Sequence, residues 1–253
     1  MALMPDFSDQ VILITGAGRG LGRSMALKLA RCGALIGLVD IDAGACEDTA
    51  AAIHAEGGQA LSLPADVSSR EALMGVAQRL AAERGRIDAV VNNAMLLHYE
   101  PLENITEATL QRMVSIGING SVWGAQALLA HYDPQRGGAI INMASPVTNR
   151  GFPNTAAYSL VKGAIVTLTK VLAAELGPKG IRVNALSPGS VPTPGALGLN
   201  DKAEYERRTR TIPLRRLGSE DDNAEACTFL LSPEASFING EILHVDGGIA
   251  AAG

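Results

Sequence analysis

The chain is 253 residues long, with 47% of them apolar, 19% charged and 28 glycines. This is the composition of a globular protein long enough to bury a large core, and the glycines point to close helix–sheet packing. A formal net charge of −5 argues against nonspecific binding to nucleic acid or to an anionic membrane, which needs basic patches.

Short apolar, β-branched runs alternate with helix-length stretches along the chain. The first run, VILIT (11–15), leads straight into GAGRGLG and a helix over 20–32. Gly16 permits a tight turn there, while Gly20 and Gly22 let backbone and helix approach closely. The free N–H groups of the helix start suit a pyrophosphate. The spacing is TGxxxGxG rather than GxGxxG. The second run, LIGLVD (35–40), ends in Asp40, where a carboxylate accepts hydrogen bonds from the ribose hydroxyls of an adenosine. Arg19, in the glycine loop, pulls the other way, because it can meet a 2′-phosphate. Asp40 weighs more. A phosphate about 4 Å from a carboxylate is repelled by about 4 kcal/mol per pair of unit charges at an effective dielectric of about 20. NAD is therefore expected in preference to NADP.

A helix over 42–57 is followed by ALSLPAD (60–66), a helix over 69–84 and DAVVNNA (88–94). A long helix over 105–131 precedes AIINMAS (139–145). The next helix, 156–177, opens with YSLVK (158–162), which puts Tyr158 and Lys162 one turn apart on one face. IRVNALS (181–187) and EILHVDG (241–247) complete seven strands. The alternation predicts an α/β architecture over 1–253: a single Rossmann-type doubly wound domain, its parallel sheet covered by helices on both faces. Right-handed crossovers then bring every strand's C-terminal end to one edge, where ligands bind. The stretch 189–217, rich in Pro, Gly and charge, is too long for a plain connection and is expected to act as a substrate lid.

Cys32, Cys46 and Cys227 show no CxxC or Cys/His spacing and read as reduced, partly buried thiols of a cytoplasmic protein. His54, His98, His131 and His244 are scattered without paired ligand spacing, so no metal site is expected. The start MALMPDFSDQ lacks the pattern of a secretory leader. No run of about 18 apolar residues suggests a membrane span.

Taken in order, TGAGRGLG (15–22), Asp66-Val67, NNA (92–94), Ser145, YSLVK, SPGSVPT (187–193) and GEILHVDGG (240–248) resemble the short-chain dehydrogenase/reductase family over almost the whole chain. Ser145 lies 13 residues before Tyr158, as do that family's catalytic serine and tyrosine. The resemblance implies strand order 3-2-1-4-5-6-7 and a catalytic set of Ser145, Tyr158 and Lys162. It implies a nicotinamide cofactor along Gly16, Arg19, Gly20, Leu21, Gly22, Asp40 and Ile41. Asp66 and Val67 would flank the adenine, Asn93 and Ala94 would lie alongside, and Pro188, Gly189, Val191 and Thr193 would surround the nicotinamide. It also implies a homotetramer, with helices 105–131 and 156–177 forming one interface and the tail IAAAG another.

The chemistry follows from the side chains. A free tyrosine titrates near pH ~10, too high for acid–base work at neutral pH. A neighbouring ammonium favours the phenolate, so Lys162 is expected to lower the pKa of Tyr158 and to hold the nicotinamide ribose. Ser145 is placed to donate a hydrogen bond to a substrate oxygen that becomes negative as hydride arrives. The activity expected is an NAD(H)-dependent alcohol dehydrogenase or ketoreductase interconverting a secondary alcohol and a ketone.

Two positions depart from the family pattern. Gly117 stands where an asparagine usually helps hold a water between the lysine and solvent, and Met95 follows NNA where glycine is usual. In a regular helix Asn119 is roughly 200° round from 117 and does not substitute for that asparagine. The expectation is that space beside Gly117 admits a water or part of the substrate, so that the relay persists in altered form. The rival is a crippled relay, and with it a nucleotide-binding protein whose redox activity is lost or repurposed. Met95, Leu96, Leu97, Val147 and Phe152 are expected to wall a largely apolar pocket. Either Met95, followed by Leu96, Leu97 and His98, narrows it beside the nicotinamide, or Met95 is a buried filler. The substrate expected is a small-to-medium ketone or alcohol. Arg207, Arg208 and Arg210 on the lid either address a substrate carboxylate or stand solvated.

Overall fold

The computed structural model describes residues 5–197 and 202–252. The first four residues of the start, residues 198–201 of the lid stretch and Gly253 of the tail lie outside them. Seven strands form one sheet: β1 (Val11–Thr15), β2 (Leu35–Val39), β3 (Gln59–Ser62), β4 (Ala89–Asn92), β5 (Gly138–Met143), β6 (Ile181–Pro188) and β7 (Ile242–Val245). All pair in parallel, in the order β3-β2-β1-β4-β5-β6-β7 that the family resemblance implies. Every residue of β1, β2 and β4 is buried, which is why these strands read as continuous apolar runs rather than alternating ones.

Helices cover both faces. On one side α1 (Gly20–Arg31), α2 (Ala43–Ala55) and α9 (Glu220–Leu231) bury Met25, Leu29, Ile53 and Leu230 against Ile12, Ile14 and Ile36. On the other, α3 (Arg70–Arg84), α5 (Gly120–His131) and α6 (Ala156–Leu176) bury Leu73, Leu80, Leu128 and Leu176 against Leu13, Val90 and Val183. Side chains fix where helices begin: Asp42 accepts the N–H of Ala45 at 3.1 Å, and Ser69 that of Ala72 at 3.2 Å. Gly85, at φ 78°, ends α3 in the left-handed conformation.

The sequence reads 105–131 as one regular helix. The structure resolves it into α4 (Glu107–Val114), a π turn over Ser115–Asn119, and α5. A π turn inserts an extra residue into the helix and rotates everything after it. Gly117 lies inside that turn, and its carbonyl accepts the Ser121 hydroxyl at 2.7 Å. By length and composition Glu107–His131 is apolar enough to cross a membrane. Here Ala125, Ala127 and Leu128 are spent on the core beside α3 and the sheet. Beyond β6 lie a short helix α7 (Pro194–Leu197) and α8 (Lys202–Thr211), so the lid stretch has structure of its own.

Candidate active site

The loops past the C-terminal strand ends enclose a cavity of about 1000 Å³. Of the residues expected to be catalytic or to bind the cofactor, Gly22 is the one that does not line it. Gly22 is buried, and a Cβ there would meet the Gly16 carbonyl oxygen at 2.1 Å. The missing side chain lets α1 pack against the turn. Gly16 and Gly20 have φ of +65° and +58°, where only glycine is unstrained. Thr15 ties this turn to β4: its hydroxyl donates to Val91 O and accepts from the N–H groups of Asn93 (3.0 Å) and Ala94 (3.1 Å). The Asn93 amide donates in turn to the carbonyls of Thr15 and Gly16.

The N-terminus of α1 fits a pyrophosphate. Its N-cap, Arg19, is extended and makes no side-chain cap, and no acid stands in the first turn. The N–H groups there are left for an anion. Asp40 accepts the N–H groups of Gly18 (3.1 Å) and Asp42 (3.2 Å), which fixes its carboxylate beside the turn on the cavity wall. At the far end Ile41, Ala65, Asp66 and Val67 line the cavity. Asp66 is already engaged: it accepts from the backbone and hydroxyl of Ser68 and, at 3.0 Å, from Arg112 on α4. Burial alone pushes its carboxyl up, but those hydrogen bonds outweigh it and hold the group below the ordinary carboxylate range. Arg112 was not foreseen in the sequence, since an arginine on an exposed helix face carries no local signal.

Ser145, Tyr158 and Lys162 line the middle of the same cavity and are 7%, 9% and 5% exposed. Ser145 ends the β5 edge in extended conformation, and α6 carries the other two on adjacent turns. The Lys162 ammonium donates to the carbonyl of Met143 at 2.6 Å and lies 5.6 Å from the centre of the Tyr158 ring. The electrostatics correct one expectation. Tyr158 is not acidified in this protein as it stands. Burial pushes its phenol above the ordinary value, Tyr99 adds to that, and the Ser145 side chain opposes it through a hydrogen bond. Lys162 has its own burial to contend with and is pushed down to about 8. Burial is the largest cause of both shifts.

Met95, Leu96, Leu97, Val147 and Phe152 all face the cavity. His98 does not; it pairs with Glu100 at 3.3 Å. Tyr99 is the larger wall residue, its ring edge-on to Tyr158 with centroids 5.4 Å apart. From the lid, Tyr205, Arg207 and Arg208 reach the wall, whereas Arg210 is outside the lining. Both lining arginines bind Glu204, at 2.7 and 2.6 Å, and pull its carboxyl down to about 2.

The space expected beside Gly117 is not there. A Cβ on Gly117 would meet Val161 Cγ1 at 2.4 Å and Met95 Sδ at 3.0 Å. The two departures from the family pattern are thus one contact, in which the Met95 thioether and Val161 occupy the room a side chain at 117 needs. The π turn also removes the regular-helix geometry on which the placing of Asn119 rested.

The family model described as enoyl-(acyl carrier protein) reductase matches residues 16–250 of the chain. Among curated relatives, 2-(S)-hydroxypropyl-CoM dehydrogenase 3 of Xanthobacter autotrophicus is 35% identical over 248 residues, covering 96% of this chain and 97% of its own. Levodione reductase of Leifsonia aquatica is also 35% identical, over 97% of this chain and 96% of its own. A short-chain type dehydrogenase/reductase from Mycobacterium marinum has a similar solved structure, with TM-score 0.90, 31% identity and 96% coverage of both chains.

Proposed function

The chain belongs to the short-chain dehydrogenase/reductase family, and on that premise we propose that it is an NAD(H)-dependent enzyme interconverting a secondary alcohol and a ketone. One observation carries the reading: Ser145, Tyr158 and Lys162 meet on the wall of the cavity that the glycine turn and Asp40 also line. Relatives named as a dehydrogenase and a reductase support oxidoreduction.

The bound nicotinamide supplies or accepts the hydride. The residues of the chain handle the proton. In reduction the Tyr158 hydroxyl gives its proton to the carbonyl oxygen; in oxidation its phenolate takes the proton of the alcohol. Ser145 donates a hydrogen bond to that oxygen as negative charge builds on it. In oxidation a bound oxidised nicotinamide would add a positive charge that favours the Tyr158 phenolate.

The glycine turn and the open start of α1 would hold the pyrophosphate, and Lys162 the nicotinamide ribose. Val67 would face the adenine, and Pro188, Gly189, Val191 and Thr193 the nicotinamide. The Asp40 carboxylate beside the turn favours NAD over NADP, by repelling a 2′-phosphate. The apolar wall suits a small-to-medium ketone, with 189–217 as its lid. Leu160 and Val171 stand exposed on α6, a face we assign to contact between copies in a homotetramer, which the mass in solution tests. The three free thiols fit a cytoplasmic protein.

The test is turnover of a panel of ketones and secondary alcohols, followed by nicotinamide absorbance. Turnover with NADH preferred to NADPH is expected. Tight NADH binding without turnover of any member of a broad panel overturns the reading.

A further inference from the structure

We propose that the substrate carries an anionic group, a carboxylate or a sulfonate, and that Arg150 binds it. The inference rests on the oxidoreductase reading above and names the substrate class for it.

The charges on the cavity wall carry the argument. Arg112 is taken by Asp66, and Arg207 and Arg208 are taken by Glu204. Two lining arginines, Arg19 and Arg150, have no carboxylate partner among the described residues. Arg19 sits in the glycine turn, where the cofactor's phosphates account for it. Arg150 has no such explanation: it lines the cavity together with Val147, Phe152 and Tyr158 and packs on Phe152. In a chain of net charge −5, an uncompensated cation there sets the local sign of the pocket against that of the molecule.

The guanidinium is also held ready. It lies over the ring of Phe152, 4.9 Å from its centre, and no hydrogen bond or ion pair to the guanidinium is seen among the described residues. The platform is itself tied down. The Phe152 carbonyl accepts the Thr155 hydroxyl at 2.7 Å, and the Asn154 carbonyl accepts the N–H of Glu100 at 2.9 Å. The segment that carries Arg150 joins Ser145 to Tyr158, so the cation is tethered to both residues placed at the reacting oxygen. An anionic tail on one side of the ketone and the hydride site on the other would orient the substrate.

The experiment compares keto acids of graded chain length with their methyl esters and with keto sulfonates, at saturating NADH. In the parent enzyme kcat/KM for at least one acid or sulfonate should exceed that of the matching ester tenfold or more. In Arg150→Met that ratio should fall at least tenfold, and Arg150→Lys should keep an intermediate ratio. A parent that treats acid and ester alike, or a ratio untouched by Arg150→Met, overturns the proposal. Calorimetric titration of the NADH-loaded protein with benzoate separates the two levels. Binding at least tenfold tighter in the parent than in Arg150→Met supports the anion site even if no panel member turns over, in which case only the redox reading fails. Equal binding of benzoate by both overturns the anion site whatever the turnover.

Discussion

At the nucleotide end of the cavity the wall is backbone: two glycines at positive φ, a third against a carbonyl oxygen, and open N–H groups at the start of α1. At the other end the wall is side chain: Tyr99 edge-on to Tyr158, Phe152 beneath Arg150, Met95 near Gly117, and helix α8, on which Arg207 and Arg208 pair with Glu204. The contrast explains what each end tolerates. Where backbone geometry makes the site, one residue type is permitted at each place. Where side chains make it, a change at one position is absorbed by a change at another, as Met95 and Gly117 show.

The largest break in this contrast should come from Gly22→Val. Its first side-chain carbon would stand 2.1 Å from the Gly16 oxygen and 2.6 Å from the Asn93 amide nitrogen, which are packed parts with nowhere to go. The fold should lose about 3 kcal/mol or more, and NADH binding should weaken at least tenfold. Denaturant unfolding and fluorescence titration read both. A variant as stable and as tightly binding as the parent would remove the backbone account of the nucleotide end.

Lys162 sits where the two ends meet, and its burial should appear as a pH dependence. Its folded pKa is pushed down to about 8, against about 10.4 for a free lysine. Between those values the unfolded chain binds the extra proton, so stability rises with pH across that window. The penalty is full below pH ~8 and gone above ~10.4. Relative to Lys162→Met, the parent should therefore gain up to about 1.4 kcal/mol per pH unit as pH climbs through the window. A flat difference would mean that the ammonium is better solvated than its burial indicates.

At the substrate end Gly117→Asn should destabilise the protein by about 1–3 kcal/mol, since Val161 and Met95 already fill the space. Turnover should not rise. Combining it with Met95→Ala should recover part of the loss, with a coupling of about 0.5 kcal/mol or more in a double-mutant cycle. Strict additivity would separate the two positions again. The smallest effect is one of selectivity. Asp40→Ser should shift the ratio of kcat/KM for NADH over NADPH by about tenfold toward NADPH, roughly 1.4 kcal/mol.

The same contrast decides what the sequence could tell. The strands themselves and the run from Gly16 to Asp40 are legible because apolar runs and glycines are dictated locally by burial and by φ, whereas the strand order comes from the family resemblance alone. That Ser145, Tyr158 and Lys162 share one cavity wall is legible through their spacing and the family resemblance together. The engagement of Asp66 by Arg112 was not, because it joins residues 46 apart across two elements. Nor was the π turn, which has no composition of its own and appears only as a regular helix with a glycine in it. The same blindness to tertiary contact made Met95 and Gly117 look like two departures, and made Lys162 look like an acidifier of Tyr158. Proximity was read correctly, but the burial of both groups was not visible in a five-residue motif.

The most direct test of the account is Tyr158→Phe, assayed on whichever substrate the panel finds best. The phenyl ring keeps the packing against Tyr99 and removes only the hydroxyl. The account requires kcat to fall by about 100-fold or more, the usual reach of general acid–base catalysis, while NADH binding stays within a few-fold of the parent. A variant that reduces the ketone as fast as the parent would contradict it.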